Sequence, residues 1–228
     1  MAGKKAGRTA AGGSSQGSAQ GSSQGLARLV PTQQRSRERF ERILQCAAEV
    51  MAEKGSEAFR MSDIVERTGV AFGSLYQYFP DKTAIIGTLA ERYNAIGRDC
   101  VRRDLSTMTS AKDLHSALGR ITDSYYQMFI DEPVMRDIWQ ATQADRALQK
   151  LDEEDVDFLG ELLVDTLRRI VADAPKPAPQ KPALQSWARL VMALIAAAVR
   201  HAIALPPKEA RLHLAIFKRM LPDDLSAL

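Results

Sequence analysis

The sequence predicts an all-α protein of about nine helices, a three-helix unit followed by a larger helical domain. Three observations predict it. Of the 228 residues 45% are hydrophobic, enough apolar surface to bury a core. Aromatic residues make up only 6%, Ala and Leu abound and β-branched runs are scarce, which favours helix over sheet. From residue 35 onward the apolar positions recur at helical spacing, and the interruptions fall at Gly and Pro.

Residues 1–34 are Gly, Ser, Ala and Gln with scattered basic side chains, a composition unable to offset the entropy of ordering; a disordered basic arm is expected. It is either a solubilising tail or a salt-sensitive phosphate contact. Phe40, Ile43, Leu44, Ala47, Val50 and Met51 then trace the first helix, closed by Gly55. A short second helix, 62–68, presents Ile64 and Val65 and stops at Gly69, and a third, 71–78, ends before Pro80. Asp81 offers a side-chain cap to a fourth helix over 82–105. Five further helices are expected at 111–130, 132–149, 153–172, 183–204 and 208–220, with breaks at Pro133, at Pro175 to Pro182 and at Pro206 and Pro207.

Net charge is only +3, but its distribution is uneven: residues 1–35 carry +5, and residues 36–82 and 83–228 carry −1 each. Cys46 and Cys100 sit within apolar helical patterns and read as buried free thiols of a reducing cytoplasm. The apolar stretch Leu190 to Val199 is about half a bilayer span, and the N-terminus lacks the apolar run of a signal peptide, so a cytoplasmic protein without membrane contact is expected. His115, His201 and His213 lack metal-ligand spacing, and the run Asp152 to Asp155 reads as a helix N-terminus; neither a metal nor a cofactor is expected.

Residues 61–78 form two short helices around the turn at Gly69, an arrangement that can lay its second helix into a major groove. The stretch GSEAFRMSDIVERTGVAFGSLYQYFPDKTAII, Gly55 to Ile86, closely resembles the DNA-binding signature of the tetracycline-repressor (TetR) family, with Gly55, Asp63, Ile64, Gly69, Val70, Gly73 to Tyr76, Tyr78, Phe79 and Lys82 at the motif's spacing. The resemblance implies a helix-turn-helix DNA-binding domain at 35–82 and a ligand-binding and dimerisation domain at 83–228. Gly73 would let DNA approach closely. Ser74, Tyr76 and Tyr78 would donate to phosphates, and Lys82 would hold one at the start of the fourth helix. Phe72, Gly73 and Gln77 are the candidates for base edges. Tyr76 and Tyr78 also fit a place at the rim of the core, and Lys82 a solvated charge. The chain departs from the family pattern at Arg60 and Ala71, where a capping Thr or Ser is usual, and at Phe72, often polar or basic. Arg60 and Ser62 are therefore added as candidate phosphate contacts.

For the second domain the resemblance implies an intersubunit helix bundle. Its candidates are Leu184, Trp187, Val191, Leu194, Ile195 and Ala198 on the penultimate helix and Ile216, Phe217 and Met220, with Leu212, on the last; an internal core helix fits the same residues. A cavity among the middle helices would be lined by Tyr125, Tyr126, Met128, Phe129, Met135, Trp139 and Phe158, which also fit ordinary core. The expected function is a ligand-responsive regulator, a repressor, that binds palindromic double-stranded operator DNA as a homodimer and is released by a small hydrophobic effector shifting the fourth helix. A helical adaptor and a small helical enzyme are the competing classes. Against an enzyme, the sequence has no Gly-rich phosphate loop, no G-x-S-x-G elbow and no H-E-x-x-H.

Overall fold

A computed structural model describes residues 26, 27, 33–171 and 180–225. The expected arm, apart from Leu26, Ala27 and Gln33 onward, and most of the Pro175 to Pro182 break lie outside the described residues. Among the described residues there is no strand. Nine α-helices run α1 (Gln34–Ala58), α2 (Met61–Thr68), α3 (Phe72–Tyr78), α4 (Lys82–Ser106), α5 (Leu114–Asp131), α6 (Val134–Ala144), α7 (Arg146–Val171), α8 (Lys181–Ala202) and α9 (Pro207–Met220), with one 3-10 turn at Ala111–Asp113.

Local chemistry explains the N-terminal boundaries. Gly55 (φ 78°) breaks the helical path of α1, and Gly69 (φ 66°) ends α2 in the left-handed region, where a Cβ is penalised. Neither Arg60 nor Ala71 caps with its side chain. At α2 the loss is made good from inside the helix: the Asp63 carboxylate accepts the Arg60 N–H at 3.0 Å and the Asp63 N–H reaches the Arg60 carbonyl at 3.1 Å. Asp81 caps α4 as expected, accepting the Ala84 N–H at 2.8 Å.

The expected helices at 132–149 and 153–172 are corrected. The break falls at Asp145, whose carboxylate accepts the N–H groups of Ala147 and Leu148 at 2.8 and 3.3 Å and so starts α7. Asp152 to Asp155 therefore lie within α7, where two of them pair with arginines of other helices: Asp152 with Arg200 of α8 and Asp155 with Arg98 of α4. By length and composition α8 is apolar enough to cross a membrane, more than the ten-residue stretch indicated, but one of its faces is buried against α7. There α7 and α8 approach closely at Gly160: a Cβ on it would meet the Arg189 backbone at 3.2 Å.

Three clusters make the core. The first joins α1 to α4 and takes in Val134 and Ile138 of α6 and Leu148 of α7, so it crosses from the helix-turn-helix unit into the second domain. The second lies among α4, α5, α7 and α8, around Leu118, Leu163 and Ala188. The third joins α5, α6, α8 and α9 through Phe129, Met135, Val199 and Leu214. Ala27 packs on the first cluster and donates its N–H to Thr88 Oγ1 at 3.0 Å, which ties the chain preceding α1 to α4.

Candidate nucleic-acid interface and ligand cavity

In α3, positions 75, 78 and 79 face inward. Leu75 and Phe79 are fully buried, and Tyr78 is buried with them, at 3% exposure. Tyr78 is a correction: its hydroxyl lies 2.6 Å from Ser36 Oγ and its ring meets Phe40 edge-on, so it joins α3 to α1 instead of facing a phosphate. The i, i+3, i+4 stripe of 75, 78 and 79 carried that signal.

The outward face holds Phe72, Gly73, Tyr76 and Gln77, all exposed, with Ser74 half-buried. Phe72 and Tyr76 are 48% and 43% exposed, and their rings stack at 6.2 Å. Gly73 has no positive φ, and a Cβ there would meet nothing within 4 Å. The fold makes no demand for glycine at this position. Arg60 is exposed and Ser62 half-buried at the start of α2. Lys82 is more occupied than expected: its ammonium donates to the carbonyls of Ser56 and Glu57 at 3.1 and 3.2 Å, clasping the end of α1 and leaving one of three N–H donors. Not among the expected contacts, Arg35, Arg37, Arg39 and Arg42 are exposed along the start of α1, where Ser36 meets α3.

A cavity of about 90 Å³ lies among α4, α5, α6, α7 and α8. Five of the seven expected residues line it: Tyr125, Met128, Phe129, Met135 and Trp139. Tyr126 and Phe158 do not. Tyr126 packs toward α8 and α9, and Phe158 is 40% exposed beneath Arg98 and Arg102, whose guanidinium carbons lie 5.1 and 5.9 Å from its ring centre. Cys100, expected to be buried, is half-exposed and lines the cavity, while Cys46 is buried as expected; burial raises the pKa of its thiol.

The polar part of the lining was not foreseen, because its residues are far apart in sequence. Arg200 donates to both oxygens of Asp152 at 3.0 and 2.5 Å, and its guanidinium carbon lies 5.1 Å over the Trp139 ring centre. Burial works against the Arg200 charge, yet Tyr125 and Asp152 hold it protonated above the usual range. Burial also raises the Tyr125 hydroxyl, with Arg200 opposing. Beside this pair, Arg98 holds Asp155 at 2.6 Å and Glu91 at 2.8 Å; burial nonetheless pushes Asp155 up to about 6. Two lining donors, Trp139 Nε1 and Arg200 Nε, are buried with no hydrogen-bond acceptor among the described residues.

The expected dimer residues divide. Leu184, Val191, Ile195 and Ala198 are corrected to internal core, buried against α5 and α7 or beside them, and Trp187 and Phe217 are partly buried on the same cluster. Leu194, Ile216 and Met220 are exposed, at 48%, 52% and 75%, together with Leu190 and Leu212. The α8 helix carries two apolar stripes, and periodicity alone does not say which one faces inward. Across α8 and α9 the rings of His201 and His213 meet at 4.7 Å, but no group of three metal-ligating side chains is assembled among the described residues.

A short helix presented outward after a glycine turn, carried on a helical domain with a cavity, defines a two-domain helix-turn-helix protein. Comparison with known proteins names the family. Residues 43–89 match the family model of bacterial regulatory proteins of the tetR family, and residues 112–228, half of the chain, match that of the tetracyclin repressor-like C-terminal domain. The chain belongs to the TetR family. It is 27% identical over 138 residues to the transcriptional repressor KstR of Mycolicibacterium smegmatis, a match covering 60% of this chain and 65% of that protein. It is 47% identical over 53 residues to the uncharacterized helix-turn-helix regulator YvdT of Bacillus subtilis, covering 23% of this chain and 27% of that one. The aligned segments thus span less than two thirds of these relatives. A TetR-family regulator from Pectobacterium atrosepticum shares the fold at a TM-score of 0.63 and 20% identity, over 86% of this chain and 98% of the other. FadR of Bacillus subtilis, in complex with stearoyl-CoA, does so at 0.60 and 17%, over 79% and 94%.

Proposed function

We propose that this chain is a ligand-responsive transcriptional regulator, a repressor, which binds two-fold operator DNA in the cytoplasm as a homodimer and lets go when a small molecule enters the cavity. The observation that carries the reading is the outward face of α3. Phe72, Tyr76 and Gln77 are exposed there around a glycine that the chain's own packing does not require, as expected of a face that meets a partner as close-fitting as a groove wall. Arg60, Ser62, Ser74 and the free N–H of Lys82, with the arginines of α1, are placed to hold phosphates at its edges. The relatives named as repressors support the direction of control, and relatives solved with stearoyl-CoA or other small molecules support the cavity as an effector site.

Two helices connect the halves. The fourth, the lever expected from sequence, begins at the helix-turn-helix and lines the cavity through Ala90, Tyr93, Asn94 and Gly97. The sixth is a second connection: Ile138 belongs to the core that holds α1 and also lines the cavity, next to Trp139. The cavity is smaller than the roughly 300–1,000 Å³ usual for ligand sites. An effector of ordinary size must therefore separate α4 and α6 from their neighbours, and both movements reach α1. Two recognition helices set for grooves about 34 Å apart lose their spacing when that happens. The dimer face is assigned to Leu190 and Leu194 of α8 with Leu212, Ile216 and Met220 of α9, all exposed apolar side chains on two helices that pack on each other.

The reading is tested by fluorescence anisotropy with DNA from the protein's own promoter in a salt series, alongside sedimentation of the free protein. Binding of two or more chains, retained against excess random DNA and falling with salt, is expected. A monomer that treats promoter and random DNA alike would overturn it.

A further inference from the structure

The cavity lining is apolar on most sides, yet it contains two buried hydrogen-bond donors, the Trp139 indole N–H and the Arg200 Nε–H, that no acceptor among the described residues satisfies. A buried donor without a partner costs free energy, and native structures keep few of them. These two belong to residues packed on each other, the guanidinium lying over the indole ring at 5.1 Å, so they fall on one patch of the wall. Neither side chain has an acceptor atom to offer, and the indole carries no charge.

The charges of the lining, Asp152, Asp155 and Arg200, are already paired, Asp155 with an arginine outside the lining. Arg200 is held through its terminal nitrogens by both oxygens of Asp152, and Arg98 is held by Asp155 and Glu91. A carboxylate or phosphate brought to the Trp139 and Arg200 patch would sit beside Asp152 and Asp155 with no free cation to meet it, and a cation there would meet two N–H donors and the Arg200 charge, the nearby carboxylates being already held by arginines. What remains is a neutral acceptor.

Resting on the effector reading above, we infer that the cavity selects neutral, mainly apolar molecules bearing a carbonyl oxygen, of the ketone, ester or amide type, which accepts from Trp139 Nε1 and Arg200 Nε while its hydrocarbon lies against Met128, Phe129, Met135 and Ile138. A carbonyl oxygen has two lone pairs and can accept from two donors at once. A site that binds an acceptor in this way discriminates strongly against the hydrocarbon lacking it, because the donors are then left buried and unpaired.

The test uses the full chain and three probes of similar shape: acetophenone, ethylbenzene and benzoate. Calorimetry is expected to give acetophenone the tightest binding, about tenfold or more over ethylbenzene, with benzoate weakest. In ¹H–¹⁵N spectra the indole resonance of Trp139, assigned against Trp187→Phe, should move downfield with acetophenone and not with ethylbenzene. Trp139→Phe keeps the ring beneath Arg200 and removes the N–H; it should bring acetophenone to within about threefold of ethylbenzene and leave ethylbenzene unchanged. Equal affinities for the two, preference for benzoate, an unmoved indole resonance, or no binding of acetophenone would each overturn the inference. Operator release is followed on the same samples. Acetophenone that shifts the indole yet leaves DNA bound supports this inference and refutes effector control. Release by acetophenone and ethylbenzene at equal affinity does the reverse.

Discussion

The helix-turn-helix turns Phe72, Gly73, Tyr76 and Gln77 toward the outside, while the cavity turns Trp139 and Arg200 toward an interior space. In the first region the polar groups of the scaffold are satisfied: Asp63 completes the α2 start and pairs with Lys54, Tyr78 meets Ser36, and Asp81 caps α4. Its surplus is apolar and exposed. In the second region the hydrocarbon is packed and the surplus is polar and buried. On the readings proposed above, each mismatch is completed by a different kind of partner, a large surface for α3 and a small acceptor for the cavity. The first can be altered without cost to folding; the second cannot.

The largest expected effect breaks the first region alone. Replacing Phe72, Tyr76 and Gln77 together by Ala removes contacts worth roughly 1–3 kcal/mol each for base recognition, and operator affinity should fall by at least about a hundredfold. Denaturant unfolding should stay within about 0.5 kcal/mol of the wild type, since exposed positions contribute little to stability. An unchanged operator affinity would remove α3 from the interface. Next in size is Asp152→Ala, which leaves Arg200 half-enclosed without its carboxylate. Breaking a fully buried pair costs about 3–5 kcal/mol; with side chains 17% and 24% exposed, about 2 kcal/mol is expected in urea unfolding. A loss below about 0.5 kcal/mol would show that the pair is not what holds α7 to α8 at the cavity.

How much of each region was legible follows from where its information sits in the chain. The helix-turn-helix is local: Gly55, Gly69, Pro80 and the capping Asp81 lie within a short stretch, and the outward and inward faces of α3 follow from a seven-residue helix. Even there Tyr78 was misplaced, because its hydroxyl drew it to the phosphate side although its spacing matched Leu75 and Phe79. The cavity is non-local. Arg200 and Asp152 are 48 residues apart and Arg98 and Asp155 57 apart, separations that periodicity does not resolve. Its aromatic lining was found by composition on α5 and α6, but Phe158, equally aromatic, lies outside under two arginines. The α8 helix carries one apolar stripe that is buried and one that is exposed, and periodicity does not tell them apart, since an apolar residue facing the core and one facing a second copy would have the same spacing.

A third prediction concerns the charge beside the cavity. The folded protein raises Asp155 from 3.8 to about 6, chiefly by burial and against the pull of Arg98. An acid whose pKa is raised on folding contributes stability that is fully present below its unfolded value and is lost as pH rises through the folded one. The window is therefore pH 4 to 6.5, and the loss across it is on the order of 2 kcal/mol. Urea unfolding of wild type and Asp155→Asn between pH 4 and 7.5 isolates this group, with the wild type losing stability relative to the variant as pH rises. A constant difference would mean that Asp155 is ionised throughout and that Arg98 outweighs its burial.

The smallest effects come from two glycines four residues apart, which make the sharpest version of the comparison. Gly69 holds φ +66°, and although a Cβ there would touch nothing, the backbone itself disfavours one; Gly69→Ala should cost about 1 kcal/mol in unfolding. Gly73 lies in α3 with no positive φ and the same open space, so Gly73→Ala should leave stability unchanged or raise it by up to about 1 kcal/mol through helix propensity. Operator binding should respond in the opposite order. The added methyl at 73 stands on the face proposed to meet the groove, between Phe72 and Tyr76, and should weaken binding about tenfold, whereas the folded fraction of Gly69→Ala should bind nearly as wild type. These outcomes would mean that one glycine is kept by the chain's own backbone and the other by its partner. If Gly73→Ala bound the operator as tightly as wild type, glycine at that position would have no explanation in either the fold or the interface, and the close approach assigned to α3 would be lost with it.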